Sequence, residues 1–313
     1  KKLGISRNAI QKALDEGRGR GLIEAPRALD NRPRTRAWGE LRDARANEFE
    51  RFARADWRKP ITHHLRDDRP FTVVLLGDPH LDSPGTDLRL WDDWVSVLDR
   101  ERGISALCLG DWLDNWIGKL QRLHAHSEMT GDDCWHLLDG YIDILGDDLI
   151  ASVAGNHDMW SGFSDPLVNS FAKYRVHYRH HELRMSFEAP GCEPAIVAMR
   201  HRHRGHSQYN PAHGVKRTAM REPLLVWAGG DLHKSGTDEY KCPRTGVISH
   251  CYQVAAFKVL DDYALAQGFP DEHISPAVAL HIDPRMADTE PDKVRHSWTP
   301  QAAQVMHEAL RAT

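Results

Sequence analysis

From Phe71 onward, short apolar runs alternate with longer stretches in which apolar residues recur every three or four positions. The runs are Phe71–Leu76, Ser105–Leu109, Leu149–Ala154, Ala195–Met199, Leu224–Ala228 and Val247–Val254. Runs this short, closed by Gly, Asp or Asn, read as buried strands. Between the first two, Leu88, Trp91, Trp94 or Val95, and Leu98 share one face of a predicted helix. Trp135, Leu138, Tyr141 or Ile142, and Leu145 do the same before the third, and a surface helix is predicted over 301–312. Strands and helices in alternation predict a layered α/β domain.

The region upstream has a different texture. Ser6 can cap a helix whose apolar positions Ile10, Ala13 and Leu14 share a face, and Gly17, Gly19 and Gly21 stop it before Leu22-Ile23-Glu24. A helix followed by Arg20-Gly21-Leu22-Ile23-Glu24 resembles the recognition helix and first wing strand of a winged helix-turn-helix, with the earlier helices missing. An ordinary N-terminal helix with a glycine stop is the alternative. Residues 26–70, rich in Arg and Pro at both ends, read as a basic linker with a helix over about 38–58. The expected division is therefore 1–25, 26–70, a main domain over 71–285, and a tail with a helix over 286–313.

Composition narrows the class. At 41% apolar and 27% charged over 313 residues the chain can build a packed core. No apolar run reaches the roughly 18 residues of a membrane span, and the start has no apolar signal region, so no membrane association and a cytoplasmic location are expected. The first residue is Lys rather than Met, so the chain is expected to continue a longer product. Five scattered cysteines without a C-x-x-C pair argue against a disulfide framework or a structural zinc site. Charge is uneven: residues 1–70 hold 18 Lys and Arg against 11 Asp and Glu, whereas the remainder is acidic. A basic front on an acidic body points to a polyanionic partner.

Metal-binding residue types sit directly after the apolar runs. The first ends in Gly77-Asp78-Pro79-His80, the second in Gly110-Asp111-Trp112-Leu113-Asp114-Asn115 and the third in Gly155-Asn156-His157-Asp158. The fourth ends in Arg200-His201-Arg202-His203 and the fifth in Gly230-Asp231-Leu232-His233. Ligands of open α/β sheets collect beyond the carboxyl ends of strands, so five distant segments are expected to converge on one rim. Asp, His and Asn suit a hard-to-intermediate divalent metal, and more than four donors suggest two ions. His203 and His206 compete with His201 for the lone strand-end position. Trp112, Trp116 and Trp160 adjoin these segments and can either wall a core or stack a base.

The order D-x-H, G-D-x-x-D-N, G-N-H-D, strand-end His, then G-x-x-H resembles the calcineurin-like metallophosphoesterase superfamily over roughly residues 71–285. The resemblance implies a four-layer α/β/β/α sandwich with a helical, basic N-terminal appendage. It also implies two divalent ions, with manganese favoured and nickel, iron or zinc as alternatives. Asp78, His80 and His233 would hold the first ion, Asp111 would bridge both, and Asn156 and His201 would hold the second. His157 would be the general acid, oriented by Asp158, with Asn115 beside the substrate. One block departs from the pattern. Asp231 stands where G-H-x-H has its first His, so the second ion would gain a carboxylate or lose a ligand.

The resemblance implies hydrolysis of a phosphate ester without a covalent intermediate. G-N-H-D, the winged-helix-like start and the basic front favour DNA, in the manner of the repair-nuclease branch. Gly205-His206-Ser207-Gln208-Tyr209-Asn210-Pro211 is similar to phage-borne members, which would place the chain in a bacterial or phage-infected cell. Two alternatives stand beside this. One is a phosphatase or phosphodiesterase for a small molecule or phosphoprotein. The other is a DNA-binding protein weakened as a catalyst by Asp231.

Overall fold

The computed structural model describes residues 37–54, 58–116, 127–161, 166–205, 207–260 and 275–312. The chain divides into two units between residues 56 and 57. In the first, the helix expected over 38–58 appears as α1 (Trp38–Arg54), with Trp38, Leu41 and Phe49 exposed. The winged-helix-like segment lies outside the described residues.

The second unit is built on two six-stranded mixed sheets. The apolar runs supply the middle of one sheet: β2 (Phe71–Leu76), β3 (Ile104–Cys108) and β4 (Leu149–Val153) are buried along their whole lengths and pair in parallel. β5 (His177–Arg179) extends this sheet beside β4, and β11 (Ala277–Ile282) and β12 (Val294–Ser297) extend it antiparallel beyond β2. The other sheet runs β1 (Ile61–His64), β6 (Leu183–Glu188), β7 (Ala195–Arg200), β8 (Val226–Gly229), β10 (Ile248–Gln253), β9 (Gly236–Lys241).

Period-two alternation sorts each strand's residues between layers. Val73 and Leu75 of β2 face the interior between the sheets, where they meet Val197, Met199, Val226 and Leu280. Val74 and Leu76 face outward into a second core. That core is covered by α2 (Leu88–Val95), α3 (Gly131–Leu145), α4 (Pro166–Lys173) and α6 (Pro300–Arg311), which supply Trp91 and Trp94, Leu138 and Ile142, Phe171, and Ala303. On the far side, Val215 and Ala219 of α5 (His213–Arg221) cover Ala198, Trp227 and Cys251. The result is the α/β/β/α sandwich expected from the sequence.

Local signals set the helix ends. Thr130 and Asp133 close a reciprocal capping box at the start of α3, satisfying two otherwise unpaired N–H groups. Thr299 caps α6 with Pro300 at the first helical position. The sandwich reaches further than 71–285 at both ends: β1 pairs with β6, and β12 and α6 complete the other sheet and its cover.

Two polar networks cross the core. Arg184 places its guanidinium on Glu182 (2.6 Å) and on both oxygens of Glu222 (2.7 and 2.8 Å), while Arg200 Nε reaches the other Glu182 oxygen (2.6 Å). Elsewhere Thr72 Oγ1 lies 2.8 Å from both His281 Nδ1 and His307 Nδ1. His307 Nε2 meets the Arg102 carbonyl at 3.1 Å, so that nitrogen carries the proton. The Thr72 hydroxyl then donates to His307 and accepts from His281, whose Nε2 accepts from Ser297 (3.0 Å). One carbonyl thereby fixes two tautomers. No helix among the described residues is long and apolar enough to cross a membrane.

Candidate metal centre

The strand-end segments do converge. Asp78 follows β2 and is fully buried; its Oδ2 accepts the Asp231 N–H at 2.8 Å, bringing the segment after β8 beside the segment after β2. Asp111, after β3, accepts the His157 N–H through Oδ1 (2.8 Å) and lies 3.1 Å from His201 Nε2 through Oδ2. His201 follows β7, its Nδ1 tied to the Leu109 carbonyl (2.7 Å) and its Nε2 3.1 Å from Asn156 Oδ1. Five elements thus bring their ends to one rim, as the apolar pattern predicts.

Close approach and backbone strain accompany this convergence. A Cβ on Gly155 would sit 1.9 Å from Asp111 Oδ1, and one on Gly230 would sit 2.3 Å from Asp78 Oδ1. No larger residue fits either position without displacing a carboxylate. Among the described residues, six non-glycines have positive φ, and five of them belong to this rim: His80 (43°), Asp111 (57°), Asn115 (41°), Asp231 (67°) and His233 (50°). Such conformations cost about 1–3 kcal/mol each and persist where surrounding bonds overdetermine them, which is common at functional sites.

Among the described residues donor atoms gather into three triads, each with its ligand atoms within 4.8 Å of one another: Asp78, His80 and His233; Asp78, Asp111 and His201; and His80, Asp114 and His157. Asp78 is shared by the first two, whereas the resemblance implies Asp111 as the shared carboxylate. Asn156 and Asp231 stand at the second triad, Asp231 Oδ1 being 3.7 Å from His201 Nε2. Asp231 Oδ2 lies 3.1 Å from Nε of Arg202, a largely exposed side chain.

Divalent cations fit this donor set. Asp78 Oδ1 and His80 Nε2 are buried without a hydrogen-bond partner, a costly state that coordination would relieve. Burial raises Asp78 well above the usual carboxylate range, and burial likewise raises Asp231. Burial opposes charge on Asp111 too, but His201 outweighs it and holds this carboxyl low. On His201 burial is outweighed in turn by Asp78 and Asp111, which raise it. Burial and the neighbouring His80 lower His233 to about 3, leaving a neutral imidazole suited to ligation.

The expected role of Asp158 needs correction. Its carboxylate accepts the N–H groups of Asp111 (2.8 Å), Trp112 (3.0 Å) and Gly155 (2.8 Å), so it fixes the Asp111 turn. The His157 ring is oriented instead through Nδ1 by the Asp114 carbonyl (2.6 Å). Asn115 Nδ2 donates to the His157 carbonyl (2.9 Å) and braces the same turn. His203 is no rival to His201, because its nitrogens meet Thr218 Oγ1 and the Ala228 carbonyl, both at 2.9 Å. His206 lies outside the described residues. Trp112 is fully buried with its Nε1 on Ser152 Oγ (3.1 Å), so it walls the core and stacks nothing.

Two participants lack an assignment from sequence. Asp114 lies 2.9 Å from His80 Nδ1, and Lys258 Nζ sits 3.1 and 3.2 Å from its two oxygens. Burial opposes the Asp114 charge, but His80 and Lys258 outweigh it and hold this carboxyl low. The carboxylate fixes His80 in the manner of the outer partners that orient metal-binding imidazoles. The D-x-x-D spacing offers a signal for Asp114. Lys258 has none, since it arrives from a loop beyond β10.

Fold and site together define a four-layer α/β sandwich with a strand-end cluster of metal-ligand residues. No family model matches the chain, and no curated protein does. Among solved structures, Vps29 from Entamoeba histolytica is similar at 12% identity and a TM-score of 0.38, over 72% of this chain and 97% of that one. A conserved uncharacterized protein from Streptococcus pneumoniae, titled a predicted phosphoesterase, is similar at 14% identity and a TM-score of 0.34, over 73% and 97%. GAP50, an inner membrane complex anchor of Plasmodium, is similar at 9% identity and a TM-score of 0.39, over 78% and 95%. At such values nothing known of these proteins transfers to this chain.

Proposed function

We propose that the chain is a metal-dependent phosphoesterase that hydrolyses phosphodiesters, with DNA as its substrate. One observation carries the reading: buried Asp78, with an unpartnered oxygen, belongs to two donor triads at once. Adjacent cation sites with a common ligand are the arrangement that clamps a phosphate ester for hydrolysis. On this reading Asp78, His80 and His233 hold one cation. Asp78, Asp111 and His201 hold the other, with Asn156 and Asp231 at its edge. The oxygen-rich set favours manganese.

Bound cations would supply the Lewis acidity and activated water that the reaction needs. The chain's own residues do the rest. His157 donates its Nδ1–H to the Asp114 carbonyl, so Nε2 is the nitrogen left for the departing oxygen, and it holds a proton there while the ring is an imidazolium. Asp158 and Asn115 keep the Asp111 and His157 turns in register. DNA is favoured by the basic excess of residues 1–70 and the winged-helix-like pattern at their start.

Incubation with manganese, bis-p-nitrophenyl phosphate and both single- and double-stranded DNA tests this. Hydrolysis of both substrate types is expected. Cleavage of the small diester alone would replace DNA with a small-molecule substrate. DNA binding without hydrolysis would make the chain a binding protein. Neither binding nor hydrolysis would remove the reading altogether.

A further inference from the structure

Three indoles adjoin the strand-end segments, and the structure treats them differently. Trp112 is sealed in the core. Trp116 and Trp160 remain half-buried, and both lie against His157. The Trp160 ring is 4.1 Å from the His157 ring at a 35° tilt, and Trp116 meets the same imidazole edge-on at 5.0 Å. The two indoles are 6.0 Å apart and within 38° of parallel, and Lys258 Nζ lies 5.2 Å from the Trp116 ring centre. A core role does not require part of either indole to stay at the surface beside a polar cluster.

We propose that Trp116 and Trp160 form a stacking wall for the leaving group of the substrate, so that the chain selects phosphodiesters whose departing alcohol carries a planar ring, a nucleoside being the fitting class. The proposal rests on the phosphoesterase reading. A general acid must touch the departing oxygen, so whatever is attached to that oxygen lies beside His157. Among the described residues the rings packed on His157 are His80, which is buried, and the two indoles, which keep part of their surface exposed. Indole–base stacking is tolerant of base identity, because every base presents a π face, and so it confers a preference for nucleosides without a sequence code.

The test compares dithymidine phosphate with two analogues in which an abasic tetrahydrofuran residue replaces the nucleoside at one end or the other. These keep the same kind of departing alcohol and remove only a base. For the wild-type protein with manganese, kcat/KM should fall by about tenfold or more when the base is lost from the departing end, and much less at the other end. Trp116→Leu and Trp160→Leu should close that gap, while Trp116→Phe should keep most of it. Quenching of indole emission by dithymidine phosphate, stronger than by the abasic analogue, gives a readout independent of turnover. Equal kcat/KM for all three diesters in the wild type would overturn the stacking wall and leave the phosphoesterase reading standing. If the leucine variants slow every diester equally and keep the gap, the indoles only hold the imidazole. Absence of hydrolysis of any diester, the p-nitrophenyl one included, would remove both readings.

Discussion

Asp111 engages the rim through every polar atom of its turn: one oxygen holds the His157 N–H, the other meets His201, and its own N–H rests on Asp158. Asp111→Asn preserves the volume but removes the charge that offsets a cation. Metal content after dialysis should fall by about one ion per chain, the cation held by Asp78, Asp111 and His201, and retention of two ions per chain would contradict the assignment. His157 supplies no ligand on the proposed reading, so His157→Asn should keep its metals while turnover drops roughly 10²–10⁴-fold. The loss should be smaller for a diester with a good leaving group, such as p-nitrophenolate. Equal losses for good and poor leaving groups would reduce His157 to a phosphate contact. At this scale the pattern made the strand-end placement of Asp78, His80, Asp111, Asn156, His201, Asp231 and His233 readable, because each sits on a segment that follows a buried run. Lys258 was not readable. A lysine in a loop looks solvated until the fold brings it onto Asp114.

The strands legible in the sequence are those buried on both faces. The run at Phe71–Leu76 is β2 itself, and the runs beginning at Leu149 and Ala195 locate β4 and β7. The edges hid for a physical reason. β9 alternates half-buried and exposed positions, β12 buries only its ends, and β1 is four residues of mixed character. β6 hid differently, since Arg184 and Glu188 make a buried strand look like a surface segment. β11 carries the same apolar signal as β2, and the pattern reading simply passes over it. The ion network that disguises β6 also anchors it. Glu182→Gln would leave the buried Arg184 and the neighbouring Arg200 short of a counter-charge and should destabilise the fold by about 3 kcal/mol, read as a lower midpoint in urea. An unchanged midpoint would mean that Glu222 alone suffices.

For the molecule as a whole, pH should act through histidines buried as neutral rings. Burial lowers His281 to about 4, with His307 and His296 adding to the effect. Its unfolded value is near 6.5, so below that pH the unfolded chain binds the extra proton first. The stabilising contribution is therefore complete above about pH 6.5 and is lost as pH falls towards 4, by at most about 3 kcal/mol. Thermal midpoints measured from pH 7 to pH 4.5 should decline, and His281→Asn should flatten the decline while lowering the plateau. A parallel decline in the variant would assign the acid sensitivity elsewhere. The pairing of β2 with β11 has a consequence during synthesis. The antiparallel neighbour of β2 is synthesised roughly 200 residues after it, so one edge of the central strand waits without a partner. Completion of the sandwich must therefore wait for β11, and a growing chain of this protein should depend on a holding chaperone until that strand has left the ribosome.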